Sequence, residues 1–218
     1  AEARGAKILT RAKVTDARRA GEVWEVTVAL GGREKRFRAK VLVNAGGPWV
    51  ERVVRETTHR VPKAHIRLVR GSHIVTRRLF DHDRAYFFQG TDGRIIFAIP
   101  YEEDFTLIGT TDVDHPGDPG DARCSEAEQD YLCAFASQYF ARPVTREDVI
   151  WTYAGVRPLY DDGASNASAA TRDYVLTLDA DGPPVLNVFG GKITTYRKLA
   201  EAAMAKIAPH LHLARGNW

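Results

Sequence analysis

Four side chains in this sequence have the type and setting to hold an anion or move a proton: His73, Arg157, Arg172 and Lys192. Arg157 lies in Gly155-Val156-Arg157-Pro158 and Arg172 in Thr171-Arg172-Asp173-Tyr174, each at a strand end beside a residue that restricts the backbone. Arginine keeps its charge and offers a planar fork of donors, which suits bidentate capture of a phosphate or carboxylate. Lys192 follows Gly190-Gly191 at the end of the strand that pairs with the one Arg172 begins. Three cations aimed at one spot repel unless an anion joins them. Taken singly, each arginine reads equally as a surface or ion-pair residue, and Arg172-Asp173 as a local pair. His73, in Gly71-Ser72-His73-Ile74-Val75, is set in a strand just after a glycine. It reads either as a group that takes a hydroxyl proton near neutral pH or as a hydrogen-bonded core histidine.

The elements that must position these groups come next. Residues 185–189 are an apolar run that reads as a buried strand, followed by Gly190-Gly191 and a helix over 198–208. Two glycines at a strand-to-helix turn let backbone approach a ligand, and the helix start presents N–H groups and partial positive charge to it. Thr194 or Thr195 is expected to cap that helix. A second such turn is Ala45-Gly46-Gly47-Pro48-Trp49, between a compact strand at 41–44 and a helix at roughly 49–55. Residues 7–44 read as β. In Glu22-Val23-Trp24-Glu25-Val26-Thr27-Val28, Trp24, Val26 and Val28 share one face, and Gly31-Gly32 makes a hairpin turn. Past Val61-Pro62 the pattern becomes antiparallel, with short strands at 72–76, 85–88, 95–99 and 106–109 and a turn at Asp92-Gly93. Ser125-Glu126-Ala127-Glu128 is a capping box that opens a helix with Tyr131, Leu132, Phe135 and Tyr139 on its inner side. Residues 149–155 and 172–178 read as strands. The fold class is α/β with an antiparallel portion. Residues 1–61 and 151–218 are expected to form one body and 62–150 a β-rich cap.

Composition bounds the function. The 218 residues are 44% apolar and 10% aromatic, enough for a substantial core. A net charge of +3, with no long basic run, does not favour nucleic acid. Cys124 and Cys133 are too few for a disulfide framework and read as reduced, structural thiols of a cytoplasmic protein. No Cys/His cluster has ligand spacing, so no metal is expected. No run of 18 apolar residues is present. The opening without Met, in mid-pattern, reads as a piece of a longer protein.

Six motifs in order then carry a resemblance. They are Asn44-Ala45-Gly46-Gly47-Pro48-Trp49, Gly71-Ser72-His73-Ile74-Val75, Ile108-Gly109-Thr110-Thr111-Asp112, Trp151-Thr152-Tyr153-Ala154-Gly155-Val156-Arg157-Pro158-Leu159, Thr171-Arg172-Asp173-Tyr174, and Phe189-Gly190-Gly191-Lys192-Ile193-Thr194-Thr195-Tyr196-Arg197-Lys198-Leu199-Ala200. Together the chain resembles the FAD-dependent glycerol-3-phosphate dehydrogenases, within the D-amino-acid oxidase-like superfamily. It departs from them in lacking the Gly-x-Gly-x-x-Gly turn that cradles the FAD pyrophosphate. The resemblance therefore implies a central fragment, with FAD held weakly or not at all by these residues alone. It further implies that Arg157 and Arg172 bind the substrate phosphate. Lys192, with the Gly190, Gly191, Ile193 and Thr194 backbone, would face the flavin pyrimidine edge, and His73 would lie near the C2 hydroxyl. Val14, Ala45, Gly46 and Gly47 would line the adenosine end, and Trp49 would also contact the FAD. The implied reaction is oxidation of glycerol 3-phosphate to dihydroxyacetone phosphate, with electrons passed to quinone. The implied setting is the inner face of the cell membrane, with a homodimer as one assembly. Alternatives are an amine or amino-acid oxidase of the same superfamily, or a non-catalytic binding module.

Overall fold

A computed structural model describes residues 2–165, 167 and 170–211. The chain divides into two compact units, one made of Ala1–Ile66, Leu159–Asp161 and Thr171–Trp218, the other of Arg67–Pro158 and Asp162–Ala170. These limits differ from the expected 61/62 and 150/151. Residues 62–66 group with the first unit, and most of the strand that begins at Val149 groups with the second. That strand is laid beside the strand carrying His73, a cross-chain pairing that local sequence does not show.

In the first unit, β1 (Ala12–Ala20), β2 (Val23–Leu30) and β3 (Arg33–Ala39) form an antiparallel meander. The alternation in β2 buries Trp24, Val26 and Val28 with Ala17 and Val185, while Glu25 stays exposed. Gly31 and Gly32 hold φ of 58° and 74°, the left-handed values a tight hairpin of this hand requires. The Trp24 indole donates to the Pro184 carbonyl at 2.9 Å, so the largest side chain of this core has its polar atom satisfied. A second sheet orders β11 (Tyr174–Asp179), β12 (Val185–Gly190) and β4 (Leu42–Asn44). β12 runs antiparallel to β11 and parallel to β4. Five of its six residues are buried, as its unbroken apolar run foretells. The segment after β4 begins as a 3-10 turn at Gly47–Trp49. It becomes the single α-turn α1 (Val50–Arg52) and ends in a π-turn at Val53–Thr57, rather than forming one regular helix.

In the second unit, β5 (Ile66–Arg77), β6 (Tyr86–Gln89), β7 (Ile95–Tyr101), β8 (Phe105–Gly109), β9 (Val113–Asp114) and β10 (Val149–Tyr160) make one sheet. Its order is β10-β5-β8-β7-β6, with β9 added to β5. α2 (Glu126–Ala136) covers one face, where Leu132, Cys133, Phe135 and Ala136 pack on Ile74, Ile96, Ala98 and Ile108. Burial pushes the Cys133 thiol up to about 11, so it remains a packing group. Tyr139 corrects the sequence expectation. It lies past the end of α2 and is 43% exposed, with its ring stacked on Phe88 and its hydroxyl on the Gln89 carbonyl. β5 is twelve residues long because partners absorb its awkward residues. Arg67 pairs with Asp114 and Arg70 with Glu128.

Candidate functional site

The first unit gathers both glycine turns at the carboxyl ends of neighbouring strands. In the parallel register, Asn187 of β12 lies opposite Asn44 of β4. The two buried amides join, Asn44 Nδ2 donating to Asn187 Oδ1 at 2.9 Å and to the Val50 carbonyl at 3.0 Å. Asn44 Oδ1 accepts from the Gly46 amide at 3.2 Å, which fixes the turn that carries Ala45, Gly46, Gly47 and Trp49. A Cβ on Gly46 would fall 3.0 Å from that same oxygen. At the end of β12, Gly190 and Gly191 hold φ of 75° and 98°. A side chain at Gly191 would press on Leu199 and Tyr174. This is backbone built for close approach at the ends of parallel strands, where ligands of open α/β sheets bind.

Lys192 begins the 3-10 turn Ile193–Thr195 that leads into α3 (Tyr196–Ile207). The expected side-chain cap is absent. The Thr195 hydroxyl donates to the Lys192 carbonyl at 3.1 Å instead of accepting an amide, because a 3-10 turn intervenes where the α-helix was expected to start. Lys192 and Thr194 are exposed, and Ile193 and Tyr196 are 87% and 69% exposed. Arg172 belongs to this unit and precedes β11, whose first residue, Tyr174, lies opposite Gly190. Val14 is on β1, 40% exposed, beside a register shift between Val14 and Asp16.

The second unit brings His73 and Arg157 together. His73 sits on the face of β5 opposite Ile74, and therefore opposite the α2 core. In register it stands across from Gly109, which in turn stands across from Phe97. A Cβ on Gly109 would be 2.1 Å from His73 Cδ2, so the imidazole lies directly on that glycine. Its other side stacks on Tyr153, with ring centroids 4.7 Å apart and planes within 5°. His73 Nδ1 is buried and meets no hydrogen-bond partner among the described residues. Burial, and secondarily the Arg157 charge, lower the ring's pKa to about 4, so it is a neutral imidazole at physiological pH.

Arg157 is held by the segment after β8. Its Nη1 donates to Asp112 Oδ1 at 3.0 Å and to the Thr111 carbonyl at 3.3 Å, and its Nη2 donates to Thr110 Oγ1 at 3.0 Å. From sequence, either a ligand anion or an ion pair could meet the Arg157 charge. The structure supplies Asp112, 45 residues away along the chain. Thr110, Thr111, Asp112 and Tyr153 are residues of this site that motif spacing did not single out for a role. Among the described residues, no group of three or more His, Cys, Asp or Glu could hold a metal ion, and no helix is long and apolar enough to cross a membrane.

Comparison with known proteins identifies the family. Residues 1–197 match the family described as FAD dependent oxidoreductase. The chain is 44% identical to the aerobic glycerol-3-phosphate dehydrogenase of Escherichia coli (strain K12) over 95% of its length and 42% of that protein's. It is also 44% identical to the D-erythritol 1-phosphate dehydrogenase of Brucella abortus, over 99% of its own length and 43% of that protein's. Among solved structures it is similar to the glycerol-3-phosphate dehydrogenase from Bacillus halodurans complexed with FAD. The TM-score is 0.81 at 29% identity, covering 99% of this chain and 42% of that one. The chain thus spans about two fifths of the length of these relatives. Because that family model matches residues 1–197 of the 218, the chain belongs to the FAD dependent oxidoreductases.

Proposed function

We propose that this chain is the part of an FAD-dependent glycerol-3-phosphate dehydrogenase that holds the substrate and the flavin-ring side of the site, in an enzyme that oxidises sn-glycerol 3-phosphate to dihydroxyacetone phosphate. The observation that carries the reading is the pairing of His73 with Arg157: a neutral imidazole beside a guanidinium fixed in orientation by three acceptors. Such a pair suits a substrate with an anionic end and a hydroxyl to be deprotonated. The names of the relatives at 42–44% identity support the same substrate class.

FAD, when bound, supplies the acceptor for the hydride that leaves C2. The residues present fit it, since the glycine turns Gly46-Gly47 and Gly190-Gly191 lie at the carboxyl ends of the parallel strands β4 and β12, where bare backbone can approach a ligand. Gly46, Gly47, Gly190 and Gly191 would hold it by close backbone approach. Ala45 and Val14 would line its adenosine end and the Ile193 and Thr194 backbone the ring edge, and Trp49 would also contact it. Lys192 would place positive charge there. On the substrate side, Arg157 binds the phosphate. The C2 hydroxyl proton passes to His73 as the C2–H bond breaks and the C2 carbonyl forms. Quinone as the final acceptor, a peripheral site at the inner face of the cell membrane, and a homodimer complete the proposal.

A second reading is favoured by one comparison. The Brucella relative matches as closely as the glycerol-3-phosphate enzymes do, and its name gives a four-carbon polyol phosphate. The test is flavin bleaching in the full-length protein under anaerobic mixing with glycerol 3-phosphate, D-erythritol 1-phosphate and D-alanine. Bleaching by glycerol 3-phosphate at the highest kcat/KM is expected. Preference for erythritol phosphate would select the second reading, and preference for the amino acid would overturn both.

A further inference from the structure

We propose that Glu128 is a positioning residue for His73 and Arg157, acting through Ser72 and Thr111; the inference rests on the reading just given. In sequence Glu128 is the third residue of α2 and completes a capping box with Ser125. A carboxylate with only that task sits at a helix start in contact with water. This one is buried, its side chain 7% exposed, and it is saturated with donors. Oε1 accepts from Thr111 Oγ1 at 2.7 Å and Ser72 Oγ at 2.8 Å. Oε2 accepts from the Ser125 amide at 3.0 Å and the Ser125 hydroxyl at 2.8 Å. Arg70 adds Nη2 at 2.8 Å to Oε2 and Nε at 3.3 Å to Oε1.

The two residues reached by Oε1 are the ones that tie the site together. Ser72 lies between Gly71, which carries the Arg157 guanidinium, and His73. Thr111 lies between Thr110 and Asp112, and all three bond Arg157. Ser72 and Thr111 are fully buried, and they also bond each other: the Ser72 amide donates to Thr111 Oγ1 at 2.9 Å and the Thr111 amide to the Ser72 carbonyl at 3.4 Å. One oxygen of Glu128 therefore fixes, from behind, both stretches of backbone whose front carries the reacting pair. Ser125 engages the other oxygen, and its hydroxyl bonds neither Ser72 nor Thr111. The capping task and the positioning task can therefore be separated by substitution. Loss of the Oε1 contacts lets β5 and the 110–112 segment drift, and errors well below 1 Å in such groups are costly to a reaction.

The test uses the full-length enzyme with glycerol 3-phosphate. Turnover by the parent tests the functional reading; ratios among variants test the inference. Thr111→Val keeps shape and removes one donor to Oε1 together with the acceptor of the Ser72 amide. It is expected to raise KM and lower kcat/KM about tenfold or more and to displace the acid limb of the pH profile, with Thr111→Ser restoring kcat/KM to within about threefold. Glu128→Gln should show the same losses in larger measure. Ser125→Ala, which removes the cap and one donor to Oε2 but leaves both Oε1 contacts in place, should lower Tm and leave kcat/KM within about twofold. The proposal is overturned if Thr111→Val keeps kcat/KM within about twofold of the parent, or if Ser125→Ala loses as much as Thr111→Val. Either result would make Glu128 a stabiliser of α2 alone.

Discussion

The Arg157 guanidinium lies across the Cα of Gly71, so close that a Cβ there would stand 2.3 Å from Nη1 and 2.4 Å from Nη2. The imidazole of His73 lies in the same way on Gly109. Two glycines with ordinary negative φ thus serve as the floor beneath a cation and a proton acceptor, chosen for what rests on them rather than for backbone freedom.

Gly71→Ala and Gly109→Ala should therefore part company. At Gly71 the obstructing atoms are the far end of a long side chain, which can swing away. Swinging away gives up bonds to Asp112, Thr111 and Thr110, a loss that the restriction alanine places on the unfolded chain partly offsets, so folding stability should fall by about 1 kcal/mol. The displaced guanidinium should nonetheless raise KM for the phosphate substrate. At Gly109 the obstacle is a ring held by Tyr153, and overpacking should cost roughly 1–3 kcal/mol. Urea melts of both variants, set beside steady-state kinetics, check the contrast. Equal stability losses would sink it.

Arg157→Lys should lose function despite keeping its charge. One ammonium cannot reproduce the Nη1 bonds to Asp112 and Thr111 together with the Nη2 bond to Thr110. A lost charge-assisted contact is worth roughly 1.5–3 kcal/mol, or about ten- to a hundredfold in kcat/KM. Kinetics equal to the parent's would remove Arg157 from the site.

His73 should be neutral throughout the physiological range, its ring titrating about 4 rather than 6.5. The folded chain then binds fewer protons at this site than the unfolded chain between those values. The stabilisation is whole above about 6.5 and fades as pH falls toward 4. Ring-proton NMR against pH measures this directly, and a midpoint near 6.5 would contradict it. If His73 takes the hydroxyl proton, His73→Asn should slow flavin reduction roughly 10²–10⁴-fold. A loss below about tenfold would leave it a hydrogen-bonding role.

Glu128 behaves with the opposite charge logic. Burial by itself raises its pKa, but bonds from the Ser125 amide, Thr111, the Ser125 hydroxyl and Ser72 outweigh that and hold it at about 2. Its contribution is present above the unfolded value near 4.5 and is lost as pH falls through 2. A shift of this size corresponds to roughly 3 kcal/mol. The stability gap between the parent and Glu128→Gln, followed by denaturant melts, should narrow from pH 5 to about pH 2. A gap constant over that range would show that the charge plays no part.

Much of the fold could be read from pattern alone. The alternation around Trp24, the turn at Gly31-Gly32 and the capping box at Ser125 are local signals, each formed within a few residues. The site was legible as a set of residue types but not as partnerships. Asp112 meets Arg157 across 45 residues and Ser72 meets Glu128 across 56, and nothing near either carboxylate shows which strand it will face. His73 was legible as a titrating group. Its depressed affinity for protons was not, because burial and the neighbouring guanidinium arise only when β10 is laid beside β5. The missing cap at Thr195 has a similar cause: the sequence marks a helix start but not the 3-10 turn in front of it.

The hydrogen bond between Asn44 and Asn187 joins residues 143 positions apart. Closing so long a stretch of open chain carries an entropic cost that grows with the logarithm of its length, and contacts of this span come late in folding. Pairing of β5 with β10 draws together two points of the intervening chain and shortens the path that β4 and β12 must still bridge. The pairing of β4 with β12 is therefore expected to follow the pairing of β5 with β10. A lesion in the β5–β10 ladder should delay protection of the β12 amides in pulse-labelled hydrogen exchange, and unchanged protection kinetics would reverse that order.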